Sequence, residues 1–99
     1  MDKKLKAKWV KALRSGKYKQ GREYLYANFS YCCLGVLCRV AGLKKEQLHE
    51  HVLLGDVDMG KLLPSATMMK LTIMNDGEDS YGTGAHSFRE IADYIEKRL

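Results

Sequence analysis

The chain has 99 residues and a formal net charge of +5. That length predicts a single globular domain, residues 1–99, with room for one modest hydrophobic core. The composition, 45% hydrophobic and 29% charged, excludes a disordered chain, and the single proline excludes a proline-rich stalk. No apolar run approaches the roughly 18 residues that span a bilayer. The first apolar residues alternate with lysines, so no secretory leader is expected. A soluble intracellular domain without a membrane partner follows as the expectation.

The positive charge sits at one end. Residues 1–22 hold nine basic residues against Asp2 alone, hence +8; residues 23–99 hold the other 8 basic and 11 acidic residues, hence −3. A local positive field attracts nucleic acid, nucleotides or an acidic protein surface. A solvated lysine-rich helix face that aids solubility accounts for the same pattern. The three cysteines, Cys32, Cys33 and Cys38, are odd in number and crowded within seven residues. A secreted disulfide framework is spread and even in count, so reduced cytoplasmic thiols are the better reading.

In chain order, Asp2 to Ser15 predicts a first helix. Leu5, Trp9, Ala12 and Leu13 form its apolar stripe, and Lys4, Lys8 and Lys11 lie opposite. Asp2 serves as its N-cap and Gly16 as the left-handed residue that ends it. Gly16 to Gly21 is a basic turn. Arg22 to Phe29 is tyrosine-rich and reads as a short strand, with Ala27-Asn28 starting a turn. Tyr31 to Val40 is apolar almost all round and reads as a buried central helix capped by Ser30 and ended by Gly42. A buried strand is the alternative, since periodicity does not separate the two in a short apolar run.

Lys44 to His51 predicts a short helical turn with Leu48 and Val52 inward, and Leu54 to Lys61 a loop. Leu62 to Met74 predicts a helix with Pro64 in its first turn and Met68 and Leu71 inward. Asn75 to His86, with Asp-Gly and two further glycines, reads as a long loop. Ser87 and Glu90 form a capping box that opens a last helix, whose inward stripe is Phe88, Ile91, Ala92 and Ile95, with Leu99 in register. The expected fold is a small, α-dominated α+β domain. Its helices pack on a buried central helix, with a short β-hairpin near residues 20–30.

The basic turn is the leading candidate site. Arg14, Lys17, Lys19 and Arg22 surround two glycines that permit close backbone approach to an anion, and Arg offers a bidentate fork for phosphate. Tyr18, Tyr24 and Tyr26 stand nearby to stack on a base, and Gln20 lies between. Arg14, Lys17, Tyr18, Gln20, Arg22 and Tyr24 are therefore the candidate ligand-binding residues. The turn is no phosphate-binding P-loop, since that spacing is missing and a helix precedes it. An ordinary helix C-cap before a solvated hairpin is the plainer account of the same residues.

Other constellations are weaker. Cys33 and Cys38 with His49 and His51 supply soft ligands, but their spacing does not match structural zinc sites and their side chains diverge on helices. Buried structural cysteines are expected instead, and no metal or cofactor. A catalytic cysteine needs a positioned base, and no sequence pattern aligns His49, His51 or His86 with one. Asn75-Asp76-Gly77 does not match a calcium loop and reads as turn chemistry. The segment from Ser87 resembles the opening helix of a helix-turn-helix, but no recognition helix follows it.

Four segments together carry a wider resemblance: Trp9-x-x-Ala-Leu-Arg-Ser-Gly-x-Tyr-x-Gln-Gly-Arg (9–22), Tyr31-Cys-Cys-Leu-Gly-Val-Leu-Cys (31–38), Asn75-Asp76, and Ser87-Phe-x-Glu-Ile-Ala-Asp-Tyr-Ile-Glu (87–96). The pattern resembles small proteins of tailed bacteriophages and prophages that share a CCLGVLC core. Residues 43–70 and 78–86 lie outside the matched motifs. The resemblance implies a location in the cytoplasm of a bacterial host. It also implies a non-enzymatic role antagonising host antiviral defence, by sequestering a nucleotide signal or inhibiting a defence protein directly. A nucleic-acid-binding module using the first helix and a thiol-dependent enzyme or redox protein are the alternatives, and self-association is left open.

Overall fold

The computed structural model describes residues 1–51, 62–77 and 84–99. The first helix, α1 (Lys3–Arg14), forms where the apolar stripe predicted it. The Asp2 carboxylate accepts from the Leu5 N–H at 2.8 Å, relieving one of the unpaired donors of the first turn. After the Ser15 C-cap, Gly16 takes a φ of 77°, a left-handed conformation that glycine adopts without steric cost. Trp9, Val10 and Leu13 are buried, and Lys4, Lys8 and Lys11 face solvent.

The hairpin is real and lies slightly later than predicted. Strands β1 (Tyr26–Ala27) and β2 (Ser30–Tyr31) pair antiparallel, with Tyr26 opposite Tyr31 and Ala27 opposite Ser30. Asn28 and Phe29 close the turn with φ values of 52° and 63°. Two left-handed central residues give the tight hairpin whose twist matches that of its strands.

The central helix, α2 (Cys33–Val40), begins two residues later than the apolar run suggested, and its N-cap is Cys32 rather than Ser30. The Tyr31 N–H donates to the Lys19 carbonyl at 2.8 Å, and the Tyr31 carbonyl accepts from the Gly21 N–H at 2.6 Å. With both of its backbone groups engaged across the chain, Tyr31 is strand. The helix starts once that pairing is satisfied, with the Cys32 sulfur accepting from the Gly35 N–H at 3.3 Å. Gly35 lies against the backbone of Leu25, so a β-carbon there would run into the Leu25 carbonyl.

Beyond α2, the short α3 (Lys45–Leu48) buries Leu48. Val52 and the Leu54–Lys61 loop lie outside the described residues. In α4 (Ser65–Asp76), Pro64 is the N-cap rather than a first-turn residue, and Met68 and Leu71 point inward as expected. The helix runs two residues past its predicted end, so Asn75 and Asp76 are its last turn and not the start of a loop. The final helix, α5 (Phe88–Arg98), follows the prediction closely. The Ser87 hydroxyl accepts from the Glu90 N–H at 3.2 Å, and the Glu90 carboxylate accepts from the Ser87 N–H at 3.0 Å. Phe88, Ile91, Ala92 and Ile95 are all buried.

One apolar cluster joins these elements, running from Trp9 and Leu13 of α1 through Leu34, Val36 and Leu37 of α2 to Leu71 of α4 and Ile91 and Ile95 of α5. The Trp9 indole N–H donates to the Cys33 carbonyl at 2.9 Å, so the largest core side chain also has its polar group satisfied. The fold is the helix-dominated α+β arrangement expected, with α1 packed on both α2 and α5. Among the described residues, no helix is long and apolar enough to cross a membrane.

Candidate functional site

The six predicted ligand-binding residues divide into two groups. Arg14 does not stand free beside the turn. Its guanidinium donates to Asp93 at 2.6 Å and to Glu96 at 3.0 Å, bridging α1 to α5. These two carboxylates raise its pKa and neutralise its charge locally, and Arg14 in turn holds Glu96 below the usual carboxylate range. Gln20 is equally committed. Its side-chain N–H group donates to Asn75 Oδ1 at 3.1 Å and to the His86 carbonyl at 2.8 Å, while its oxygen accepts from the Phe88 N–H at 3.0 Å. Tyr18 packs edge-on against Tyr31, with ring centroids 5.2 Å apart.

Lys17, Arg22 and Tyr24 remain accessible. Lys17 and Arg22 are exposed, Tyr24 is half-buried, and the Lys17 ammonium lies 5.7 Å from the centre of the Tyr18 ring. With Lys19 and with Lys3, Lys4, Lys8 and Lys11 of α1, they make an exposed basic surface. Of the nine cations in residues 1–22, Arg14 alone forms an ion pair among the described residues.

The Gln20 amide joins a second amide, that of Asn75, in a structural knot. Asn75 is fully buried. Its oxygen accepts from the Cys33 N–H at 3.1 Å and from Gln20, and its N–H group donates to the Gly21 carbonyl at 2.9 Å and to Asp76 at 2.8 Å. Asn75 thus caps the start of α2 while Gln20 caps the start of α5, and the two caps bond to each other. Sequence reading missed Asn75 by ending α4 too early. The signal was present: Met68, Leu71 and Asn75 fall at i, i+3 and i+7, which places an amide on an inward stripe.

The cysteines are buried and free. Burial pushes the Cys32 thiol up to about 12 and the Cys38 thiol up to about 11, and it holds Cys33 well above the usual thiol value. The Cys33 thiol donates to the Leu71 carbonyl at 3.6 Å. Among the described residues, no three His, Cys, Asp or Glu side chains converge as a metal site would require.

A groove of about 820 Å³ lies alongside α1 where it meets the end of α5. Ala7, Val10 and Leu99 line it, together with Lys3, Lys6 and Lys11.

These features define a small helical α+β protein with a one-sided basic surface. The chain belongs to the family described as "Domain of unknown function (DUF8296)", which matches residues 1–53, slightly more than half of its length. That span covers α1, the basic turn, the hairpin, α2 and α3. No curated protein and no solved structure matches the chain.

Proposed function

We propose that this protein acts by non-enzymatic binding of an anionic target, through α1 and the basic turn that follows. The observation that carries the reading is the set of seven exposed cations, Lys3, Lys4, Lys8, Lys11, Lys17, Lys19 and Arg22, none ion-paired among the described residues. A cluster of unneutralised charge raises association rates with an oppositely charged partner and selects against basic ones.

The arrangement favours a macromolecular surface over a lone nucleotide. A nucleotide site needs donors that converge, and the two best, Arg14 and Gln20, are engaged within the fold. The remaining cations spread along a helix and a turn. Taken with the phage resemblance of the CCLGVLC segment, this supports an accessory protein of the bacterial cytoplasm that antagonises host antiviral defence by docking on an acidic surface of a defence protein. Nucleotide sequestration is the less favoured route to the same end. Burial of all three thiols supports binding over thiol chemistry, because the thiolate is the reactive form.

The test is titration of the wild type and of the triple variant Lys4→Glu, Lys8→Glu, Lys11→Glu with polyglutamate, duplex DNA and a panel of cyclic and linear nucleotides. Polyglutamate should bind the wild type and be lost in the variant. A steep, linear fall of log affinity with log salt for DNA alone would point instead to a nucleic-acid module. If no anion binds, or the variant binds as the wild type does, the reading is wrong.

A further inference from the structure

The groove beside α1 has both an apolar floor and a basic rim. We propose that it is the docking site for an acidic amphipathic helix of a partner protein, an inference that rests on the anionic-target reading above and names the partner's chemistry. Lys3, Ala7, Val10 and Arg14 fall at i, i+4, i+7 and i+11, so one stripe of α1 runs the full length of the groove. Ala7 and Val10 contribute the floor on the α1 side, and Leu99 lines the side formed by the end of α5.

The rim is cationic. Arg14 is already neutralised by Asp93 and Glu96, so the surplus charge comes from Lys3, Lys6 and Lys11. Lys6 is turned toward α5, its ammonium donating to the Glu96 carbonyl at 3.4 Å. Glu96 also lines the groove, on the α5 side and paired with Arg14, so an occupant must offer apolar side chains in a row and negative charge toward the lysines of α1. A helix with apolar residues at i, i+3, i+4 and i+7, and Asp and Glu on the flank facing those lysines, does so. A polyanion such as nucleic acid has no apolar row for the floor. The dimensions agree: twelve residues make α1 about 18 Å long, enough for roughly three turns of a facing helix.

The experiment uses a labelled synthetic peptide of about 14 residues, roughly four helical turns, with leucines at those positions and glutamates between them, read by fluorescence anisotropy. A scrambled peptide of the same composition is the control. Ala7 is exposed on the helix, so Ala7→Glu places a carboxylate on the groove floor without disturbing the core. The expected result is a loss of about tenfold or more in affinity both for the scrambled peptide and for Ala7→Glu, with an unchanged thermal midpoint. Lys70→Glu, at an exposed position of α4 outside the groove, should leave peptide affinity within about twofold, under 0.5 kcal/mol.

Equal binding of the patterned and scrambled peptides, or unchanged binding by Ala7→Glu, would overturn the groove assignment and leave the anionic-target reading standing. If neither peptide nor polyglutamate binds, both fail together.

Discussion

Asn75 shows how much one buried amide can organise. It satisfies the first N–H of α2, the Gly21 carbonyl and the Gln20 side chain at once, from a fully buried position. Removing it takes the partner from the Cys33 N–H and from the Gly21 carbonyl, while Gln20 keeps its bond to the His86 carbonyl; each orphaned buried group costs about 1–3 kcal/mol. Asn75→Ala should therefore lower unfolding free energy by about 3 kcal/mol or more, measured by urea denaturation. Asn75→Asp, of nearly the same shape, should be at least as damaging, because its second oxygen would face the Gly21 carbonyl and the Asp76 carboxylate. The thiols give a pH prediction of definite sign. In the folded chain, burial raises Cys32 to about 12 and Cys38 to about 11, against an ordinary value of 9.0. Below pH 9 both states hold neutral thiols and the stabilisation is fully present. Above it the unfolded chain ionises first, so stability falls as pH rises toward 11 and 12. Denaturation midpoints measured from pH 8 upward should decline, and the decline should be shallower in Cys38→Ala.

The helices owe their boundaries to different kinds of contact. The start of α5 is set mainly by local contacts: Ser87 and Glu90 satisfy one another's N–H groups within four residues, and Gln20 adds one distant bond to the Phe88 N–H. Ser87→Ala should cost about 0.5–2 kcal/mol in the same denaturation assay, the usual cost of losing such a cap. The placement of α2 is tertiary. Its N-terminus is held by Asn75 from α4, and its Gly35 backbone rests against Leu25. A side chain at position 35 meets rigid backbone rather than a flexible neighbour, so Gly35→Ala should destabilise by about 3 kcal/mol or more, at the upper end of overpacking effects. The helical signal in circular dichroism of that variant, compared with Ser87→Ala, separates loss of the fold from loss of one cap.

Charge and core are segregated across the molecule as a whole. One face of α1 enters the core, the opposite face carries Lys4, Lys8 and Lys11, and the intervening edge is tied to α5 by Arg14. That tie is exposed, and exposed ion pairs are weak and screened by salt. Arg14→Ala should lower the thermal midpoint modestly at low ionic strength, and the difference from wild type should close as salt is added. It should not abolish binding of polyglutamate, since the exposed lysines are left intact. A collapse of that binding in Arg14→Ala would mean that the guanidinium leaves its carboxylates to meet the ligand.

Local chemistry was enough to predict α1 and α5 almost to the residue. Their apolar stripes, the Asp2 and Ser87 caps and the left-handed Gly16 all act within a few positions of the chain, which is the range over which capping and periodicity operate. The buried, reduced state of the cysteines and the one-sided charge were legible for the same reason, since both follow from composition along short segments. The start of α2, the end of α4 and the sorting of the candidate site were decided by partners ten to more than eighty residues away. Tyr31 is strand because Lys19 and Gly21 bond its backbone, Asn75 is core because α2 and the Gly21 carbonyl need its amide, and Arg14 is neutralised because Asp93 and Glu96 lie across from it. Hydrogen bonds and ion pairs are short-ranged in space but indifferent to separation along the chain. Which cations remain free to meet a ligand is therefore settled only when the helices pack.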